Sequence, residues 1–380
     1  MKARYQYRFY PTDQQQQSLA QLFGCVRVVW NDALALCKQS QKKPKSAELQ
    51  KIVITQAKQT IERAWLGEVS NIPLQQSVAD LETAFKNFFD SCKGKRKGRK
   101  VGYPKFKNRT SSQSARLTRG GFSFKGNGVY LAKIGIVNPI WSRKLPSKPS
   151  CVTVIKDCAN RYFLSFVVEV QPIQIEAKSP SIGIDLGIKT FAVMSNGKKA
   201  KSPSYKKLDR KVRQLQRKLA RQPKDSQRRN VTRIKIAKLH NRIADTRKDF
   251  LHKLSTKIVN ENQVIILEDL NVSGMLKNRK LSRAISQQGW REFRTLCEAK
   301  SEKLGREFQV ISRWEPTSQV CADCGFKWGK IDLSIRSVLC LSCGTEQDRD
   351  KNASRNIEQV GMGNRHDSKR TQRDCQTSNG

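Results

Sequence analysis

Ser181–Val193 reads SIGIDLGIKTFAV, and this stretch decides the fold of the second half of the chain. Ile182 and Ile184 bracket Gly183 and run straight into Asp185, after which Gly187 gives the backbone freedom. The pattern predicts a short buried strand that ends on a carboxylate. A second stretch repeats it, because Val264, Ile265, Ile266 and Leu267 end on Glu268-Asp269. A carboxylate at the end of a buried strand is costly unless positive charge meets it. An Arg or Lys would serve; so would Mg²⁺, which takes oxygen ligands and shares its shell with substrate phosphate. A third acidic candidate lies at 347–357, QDRDKNASRNI, where Asp348 and Asp350 precede a helix starting near Asn352. Asp350 is a candidate metal ligand, and a helix N-cap is the alternative, with Asp348 able to do the same work.

Carboxylates that bridge two metals can activate a water and neutralise the leaving oxygen of a phosphodiester without a histidine base. The chain has three histidines, His240, His252 and His366, which fall in a basic helical region and the tail, so no Ser-His or Cys-His arrangement suggests itself. Between the two strands, Tyr205–Val259 is helical: Leu208, Val212, Leu215 and Leu219 follow a 4-3-4 spacing, Pro223 breaks it, and Ile236, Leu239 and Ile243 restart it. An antiparallel helical hairpin with basic outer faces is the simplest account.

Cys321-Ala-Asp-Cys324 and Cys340-Leu-Ser-Cys343 form two CxxC knuckles, each followed by a glycine, Gly325 and Gly344. That pattern places four thiolates about one structural Zn²⁺ and leaves no open coordination position for catalysis. The other cysteines (25, 37, 92, 151, 158, 297 and 375) read as buried thiols or surface accidents.

The first half begins with alternation. Ala3, Tyr5, Tyr7 and Phe9 fall on one face of a strand and Lys2, Arg4, Gln6 and Arg8 on the other, which can meet phosphate. Pro11-Thr12-Asp13 stops the strand, and helical spacing follows to about Phe89 with a break at 41–46; Ile72–Phe89 reads as a third helix. Lys93–Arg109 reads KGKRKGRKVGYPKFKNR, nine basic residues and no acid. Arg96, Lys97, Arg99, Lys100, Lys105 and Lys107 would be neutralised by backbone phosphates, and Tyr103 and Phe106 could stack on bases; a solvated loop is the bland alternative. Strand character returns from about 121 to 170 and suggests a small β-barrel or curled sheet interrupted by the helical insertion. Residues 172–180 read as a linker.

The 380 residues carry 74 Lys and Arg against 32 Asp and Glu, a formal net charge of +42. That surplus argues against a soluble enzyme of neutral metabolites and points to nucleic acid, with an anionic membrane surface as the weaker alternative. No apolar run reaches bilayer length, the first twenty residues lack a signal-peptide core, and the scattered, odd-numbered cysteines argue against a disulfide scaffold. A cytoplasmic nucleic-acid protein of two to three domains is expected.

The motifs together resemble the TnpB family, small nucleases of bacterial insertion sequences related to type V CRISPR effectors. The resemblance is carried by RYQYRFYPTDQQQQSLAQLFGCVRVVWN (4–31), GIDLGIKTFAV (183–193), LEDLNVSGMLKNRKLSRAISQQGWREF (267–293), EPTSQVCADCG (315–325), CLSCG (340–344) and DRDKNASRNI (348–357). It implies an RNase H-like RuvC nuclease domain (176–315 and 347–360) with an inserted zinc ribbon (316–346). It also implies a β-barrel wedge domain (1–10 and 111–175) carrying a helical recognition domain (11–110), with a disordered tail (361–380). Asp185, Glu268 and Asp350 would hold two Mg²⁺, with Mn²⁺ as a substitute, and the family pattern favours Asp350 over Asp348. The partners implied are a guide RNA from the protein's own element and double-stranded target DNA, in a monomeric ribonucleoprotein of the bacterial cytoplasm, at the nucleoid when bound to DNA. Gln75, Gln76 and Lys86 lie in the region that would read a target-flanking motif, where ordinary solvent-facing polarity explains them as well. The alternative function is a guided or zinc-ribbon repressor that does not cut.

Overall fold

A computed structural model describes residues 1–363 except Lys97, Ser111, Ser112, Ile175 and Leu333. The chain divides into two units, Met1–Val170 and Gln171–Gly380. Lys97 and residues 364–380, which hold most of the expected disordered tail, lie outside the described residues.

The first unit runs β1 (Lys2–Phe9), α1 (Asp13–Gln39), α2 (Ser46–Gln50), α3 (Asn71–Cys92), β2 (Gln113–Leu117), β3 (Phe122–Lys125), β4 (Gly128–Leu131), β5 (Gly135–Val137), β6 (Cys151–Lys156) and β7 (Tyr162–Glu169). The alternation in β1 is kept: Tyr7 and Phe9 are buried while Lys2, Arg4 and Gln6 are exposed. Thr12 starts α1 through a capping box with Gln15. By length and composition α1 would qualify for a membrane span, contrary to the expectation that no run does, but Leu19, Leu22, Val29, Ala33 and Leu34 bury it in the core of this unit. The second expected helix shortens to α2 and passes into a π turn at Lys51–Gln56. Four β-branched residues in succession, Ile52-Val53-Ile54-Thr55, crowd a regular α-helix there. The strands form two antiparallel sheets, β1-β7-β6-β2 and β3-β4-β5, tied by a bridge between Phe9 and Pro139.

The second unit runs β8 (Ser179–Leu186), β9 (Ala192–Met194), β10 (Lys199–Ala200), α4 (Lys206–Ala220), α5 (Gln227–Glu261), β11 (Asn262–Glu268), α6 (Val272–Met275), α7 (Ser282–Gln288), α8 (Trp290–Leu304), β12 (Glu307–Ile311), β13 (Ser337–Leu339), β14 (Glu346–Asp348) and α9 (Arg349–Gly361). Its main sheet has the order β10-β9-β8-β11-β12; β8, β11 and β12 are parallel, and β9 and β10 fold back antiparallel.

Both faces of this sheet are covered, which explains the unbroken apolar run in β11. Ile265 and Leu267 pack into one cluster with Leu251, Val259, Trp290 and Phe293 of α5 and α8. Val264 and Ile266 point the other way and pack with Ile311 and Ile357 of α9. In β8, Ile182 and Ile184 join the first cluster, so Gly183 and Asp185 face α9. At Gly183 the helix comes so close that a methyl group would meet the Ser354 carbonyl and sit 2.5 Å from the Glu358 nitrogen. Gly361 makes the same approach farther along, 2.6 Å from Ile266 Cγ2 if it carried a methyl.

The expected hairpin is α4 and α5. Ser226 caps α5, and the Arg229 guanidinium donates to the carbonyls of Leu219 (2.6 Å) and Gln222 (3.0 Å), closing the turn.

Adding a methyl where α9 meets β8 should therefore be expensive. Gly183→Ala should destabilise the protein by about 1–3 kcal/mol through overpacking. Gly24→Ala, inside α1 where a methyl would meet nothing within 4 Å, should stabilise by about 0.5–1 kcal/mol. Urea unfolding of both variants checks the pair, and equal effects would mean that the contact at Gly183 is not tight.

Candidate active site and metal centre

Strand parity brings the three acids to one place. Asp185 shares a face with Gly183, and Glu268 shares one with Val264 and Ile266, so both project toward α9 at the C-terminal ends of adjacent parallel strands. Asp350 lies in the first turn of α9. Asp348 is the N-cap of that helix: its carboxylate accepts from the backbone nitrogens of Asp350 (3.1 Å) and Lys351 (3.0 Å) and pairs with Lys199 at 2.7 Å. Capping thus falls to Asp348 and leaves the Asp350 side chain to face the other acids.

Electrostatics report how closely they face. The carboxyl of Asp185 is pushed up to about 7, first by burial and then by the charges of Asp350 and Glu268. Burial also raises Glu268, against a weak 3.4 Å hydrogen bond from the Thr317 hydroxyl. Asp350 has the Arg336 guanidinium 3.3 Å away. Asp185, whose ionised form Asp350 and Glu268 disfavour, makes with them a donor set suited to hard divalent cations. They do not gather to single-ion spacing; among the described residues, that closeness is reached by four thiols.

Those thiols belong to Cys321, Cys324, Cys340 and Cys343, whose sulfurs all lie within 4.8 Å of one another. Zn–S bonds of about 2.3 Å would place sulfurs about 3.8 Å apart. Cys321 and Cys343 are separated by 3.8 Å, and Cys324 and Cys340 by 3.5 Å. The two knuckles share one backbone pattern. Gly325 N donates to Cys321 O and Gly344 N to Cys340 O, both at 2.9 Å, with the glycines at φ 77° and 70°. The four cysteines fit a structural zinc.

Polar side chains of α9 hold this ribbon. Asn352 accepts from Ala322 N (2.8 Å) and donates to Val320 O (2.8 Å), while Asn356 donates to the carbonyls of Thr317 and Val320, both at 2.7 Å. Asn352 is 1% and Asn356 5% exposed, so these bonds lie away from water, where losing one is costly. The β13–β14 hairpin also delivers Arg336, whose carbonyl accepts from Arg349 N at 2.8 Å. The cysteine spacing gave no hint of Arg336.

The nucleic-acid candidates all lie in the first unit. Arg4, Gln75, Lys86, Arg96, Arg99, Lys100 and Lys105 are exposed, while Arg8 and Gln76 are partly buried. The 103–107 tract is docked on helices. Trp30 Nε1 donates to Lys105 O (3.0 Å), Asn31 exchanges two hydrogen bonds with the Lys107 backbone, and Lys107 Nζ sits 3.7 Å from the Trp30 ring centroid. Tyr103 packs edge-on against Phe85 and Phe88, while Phe106 is 50% exposed. Lys107 and Tyr103 therefore spend part of their surface anchoring the tract. The α4–α5 hairpin contributed no site residue to the sequence-based set, yet between Arg210 and Arg242 it has thirteen basic residues and one acid. Its charge ratio was the signal available.

Two outcomes test this site. An unfolded aspartate titrates near 4 and the folded Asp185 near 7, so the folded chain holds a proton that the unfolded chain has lost across that window. Stability from this group falls as pH rises from about 4 to about 7 and is flat above. Asp185→Asn removes the cost, so without divalent cations the variant should be more stable than the parent at pH 8 by a few kcal/mol on the order of magnitude of the shift. The gap should vanish near pH 4, and denaturant titrations at both values would expose a pH-independent gap as another effect. Stripping zinc with a chelator should deprotect amides across 317–356 in hydrogen exchange and leave the first unit protected; unchanged exchange would mean that the ribbon needs no metal.

Three family models match the chain: one described as "Probable transposase" over residues 165–279, one as "Helix-turn-helix domain" over 1–45, and one as "Cas12f1-like, TNB domain" over 290–357. The second of these falls on β1 and α1, a strand and one long helix. A Streptomyces pristinaespiralis protein that carries the name of an RNA-guided DNA endonuclease is 41% identical over 370 residues, covering 95% of this chain and 90% of that protein. InsQ of Escherichia coli K12, with the same designation, is 30% identical over 379 residues, covering 94% and 92%. The mimivirus TnpB-like protein L79 is 27% identical over 243 residues, covering 58% and 45%. A cryo-EM structure of a Cas12f1–sgRNA–target DNA complex contains a chain of similar fold, with TM-score 0.51 and 15% identity over 90% of this chain and 81% of that one. By its identity to relatives matched over nearly their whole length, the chain belongs to the TnpB family.

Proposed function

We propose that the chain is an RNA-guided DNA endonuclease of an insertion sequence that hydrolyses phosphodiester bonds with divalent metal ions. The observation that carries this is the approach of Asp350, on α9, to the strand-end acids Asp185 and Glu268, where Asp350 and Glu268 both raise the cost of ionising Asp185. The mixed sheet, with an antiparallel meander on one side of β8 and parallel strands on the other, supports an RNase H-like RuvC domain at 176–315 and 347–360. The four thiols support a zinc ribbon at 316–346. The two antiparallel sheets of the first unit support a wedge domain at 1–10 and 111–175, and α1–α3 support a recognition domain at 11–110. The names of the relatives and the fold shared with a guide-bound effector support a guide RNA and double-stranded DNA as partners. One such acid cluster among the described residues suits a monomeric ribonucleoprotein, working in the cytoplasm.

Bound Mg²⁺ would supply a reactive water and charge neutralisation at the leaving oxygen. The chain's own residues do the rest. Asp185, Glu268 and Asp350 would hold the ions, Thr317 orients Glu268 through its hydroxyl, and Asp348 fixes the start of α9 so that Asp350 keeps its place. The basic tract and the α4–α5 hairpin meet phosphates. Base pairing with the guide reads sequence while the protein reads backbone and shape.

Asp185→Ala, Glu268→Ala and Asp350→Ala should each abolish cutting of a guide-matched duplex in millimolar Mg²⁺ while RNA binding stays within about twofold. Wild-type cleavage rates in any of the three would sink the ligand assignment. Matched binding by the unaltered protein without scission would instead support a repressor. Affinity for the duplex should fall roughly 10³–10⁵-fold between 50 and 200 mM salt if 6–10 phosphates are neutralised. Replacing Arg217, Lys218, Arg221 and Lys224 with Ser should flatten that salt slope.

A further inference from the structure

A cleft of about 410 Å³ opens beside Glu268, lined by the ends of β11, α8 and the residues after β12. Its volume lies in the range of small-ligand sites. In its lining Asp269 holds two arginines. The Asp269 Oδ1 accepts from Arg294 Nη1 at 2.8 Å; its Oδ2 accepts from Arg313 Nε at 3.0 Å and from Arg313 Nη2. We propose that Asp269, Arg294 and Arg313 form a clamp that seats a backbone phosphate of the cut DNA strand next to the scissile bond. The proposal rests on the nuclease reading of Glu268.

The fold builds this clamp on rigid parts. The backbone nitrogen of Asp269 donates to Ile311 O at 3.2 Å, which extends the β11–β12 pairing by one rung and sets Arg313 two residues beyond. Arg294 follows Trp290 by four residues on α8, so the two share a helix face; Trp290 is 3% exposed and anchors that face. Two guanidiniums around one carboxylate leave one net positive charge. Each guanidinium carries five N–H donors, and Asp269 takes one from Arg294 and two from Arg313, so N–H groups remain for a phosphate in fork geometry. Glu268, Glu298 and Arg291 also line the cleft, so an anion is welcome only where the arginines are. The next residue after a proposed metal ligand thereby orients phosphate recognition without contacting the phosphate. Asp269 is a positioning residue, and Arg294 and Arg313 are the contacts.

The test uses the guide-loaded protein and matched DNA carrying a single neutral methylphosphonate at successive linkages near the cut. With the unaltered protein, one linkage within about three nucleotides of the cut should slow single-turnover cleavage roughly tenfold to hundredfold, the size of a lost charged hydrogen bond. Arg294→Ala and Arg313→Ala should each be slowed to a similar degree on ordinary DNA and lose little more at that linkage. Asp269→Asn should slow cleavage and blunt the dependence on that linkage while guide binding and melting temperature hold. Arginine variants that cut at the unaltered rate, or whose loss adds in full to the methylphosphonate loss at every linkage, would overturn the clamp while leaving the nuclease standing. An unaltered protein that cuts no matched DNA would overturn both.

Discussion

The seating of α9 on the main sheet is the contact on which the second unit depends. Gly183 and Gly361 remove side chains where the helix crosses β8 and β11, so the backbone of a thirteen-residue helix approaches the strands directly. Between these points Ile266 and Ile357 fill the seam. Close-packed interiors hold such a helix at one depth, because a single methyl in the wrong place shifts it. The depth fixes the distance from Asp350 to the two strand-end acids. The opposite side of α9 holds the ribbon through Asn352 and Asn356, so one helix couples the thiol cluster to the acid cluster.

Charge is distributed against this frame in two ways. Most of the +42 surplus is carried on exposed helices and loops, where water and salt screen it. Asp185 and Glu268 sit at strand ends, where burial raises both carboxyls above their usual range. Asp348, Asp269 and Asp209 show the contrary case. Each is drawn below the usual carboxylate range by neighbouring cations, despite some burial: Asp348 by Lys199, Asp269 by Arg313 and Arg294, and Asp209 by Arg283. Three acids are thus kept ionised by arginine or lysine, while Asp185 is pushed the other way by burial and by Asp350 and Glu268.

Much of this was legible in the sequence because it rests on local rules. Period-two alternation showed the face of β1, apolar runs ending in an acid showed β8 and β11, and the doubled knuckle showed the thiol cluster. Pro223 showed the turn of the basic hairpin. What was not legible depends on residues far apart in the chain. Nothing near Lys107 says that Trp30 waits for it, nothing near Asp269 names Arg294 and Arg313, and nothing near Asp350 names Arg336. The π turn at Lys51–Gln56 was hidden because its β-branched run also has helical spacing. Strand order too needs the tertiary fold, since hydropathy does not say which of two short strands is central.

The slot at Gly183 also has a consequence in time. The strand that bears it is made some 170 residues before the helix that fills it, and α9 is the last element among the described residues in chain order. Until α9 is synthesised, Val264, Ile266 and Ile311 form an apolar strip with nothing over it, on a sheet whose other face α5 and α8 can already cover. Closure of so long a loop is slow relative to local helix and hairpin formation. The nascent chain therefore carries an open groove from the completion of β12 until α9 emerges, the kind of surface that holdases and misplaced helices compete for. A chain stopped before residue 349 would keep that groove permanently.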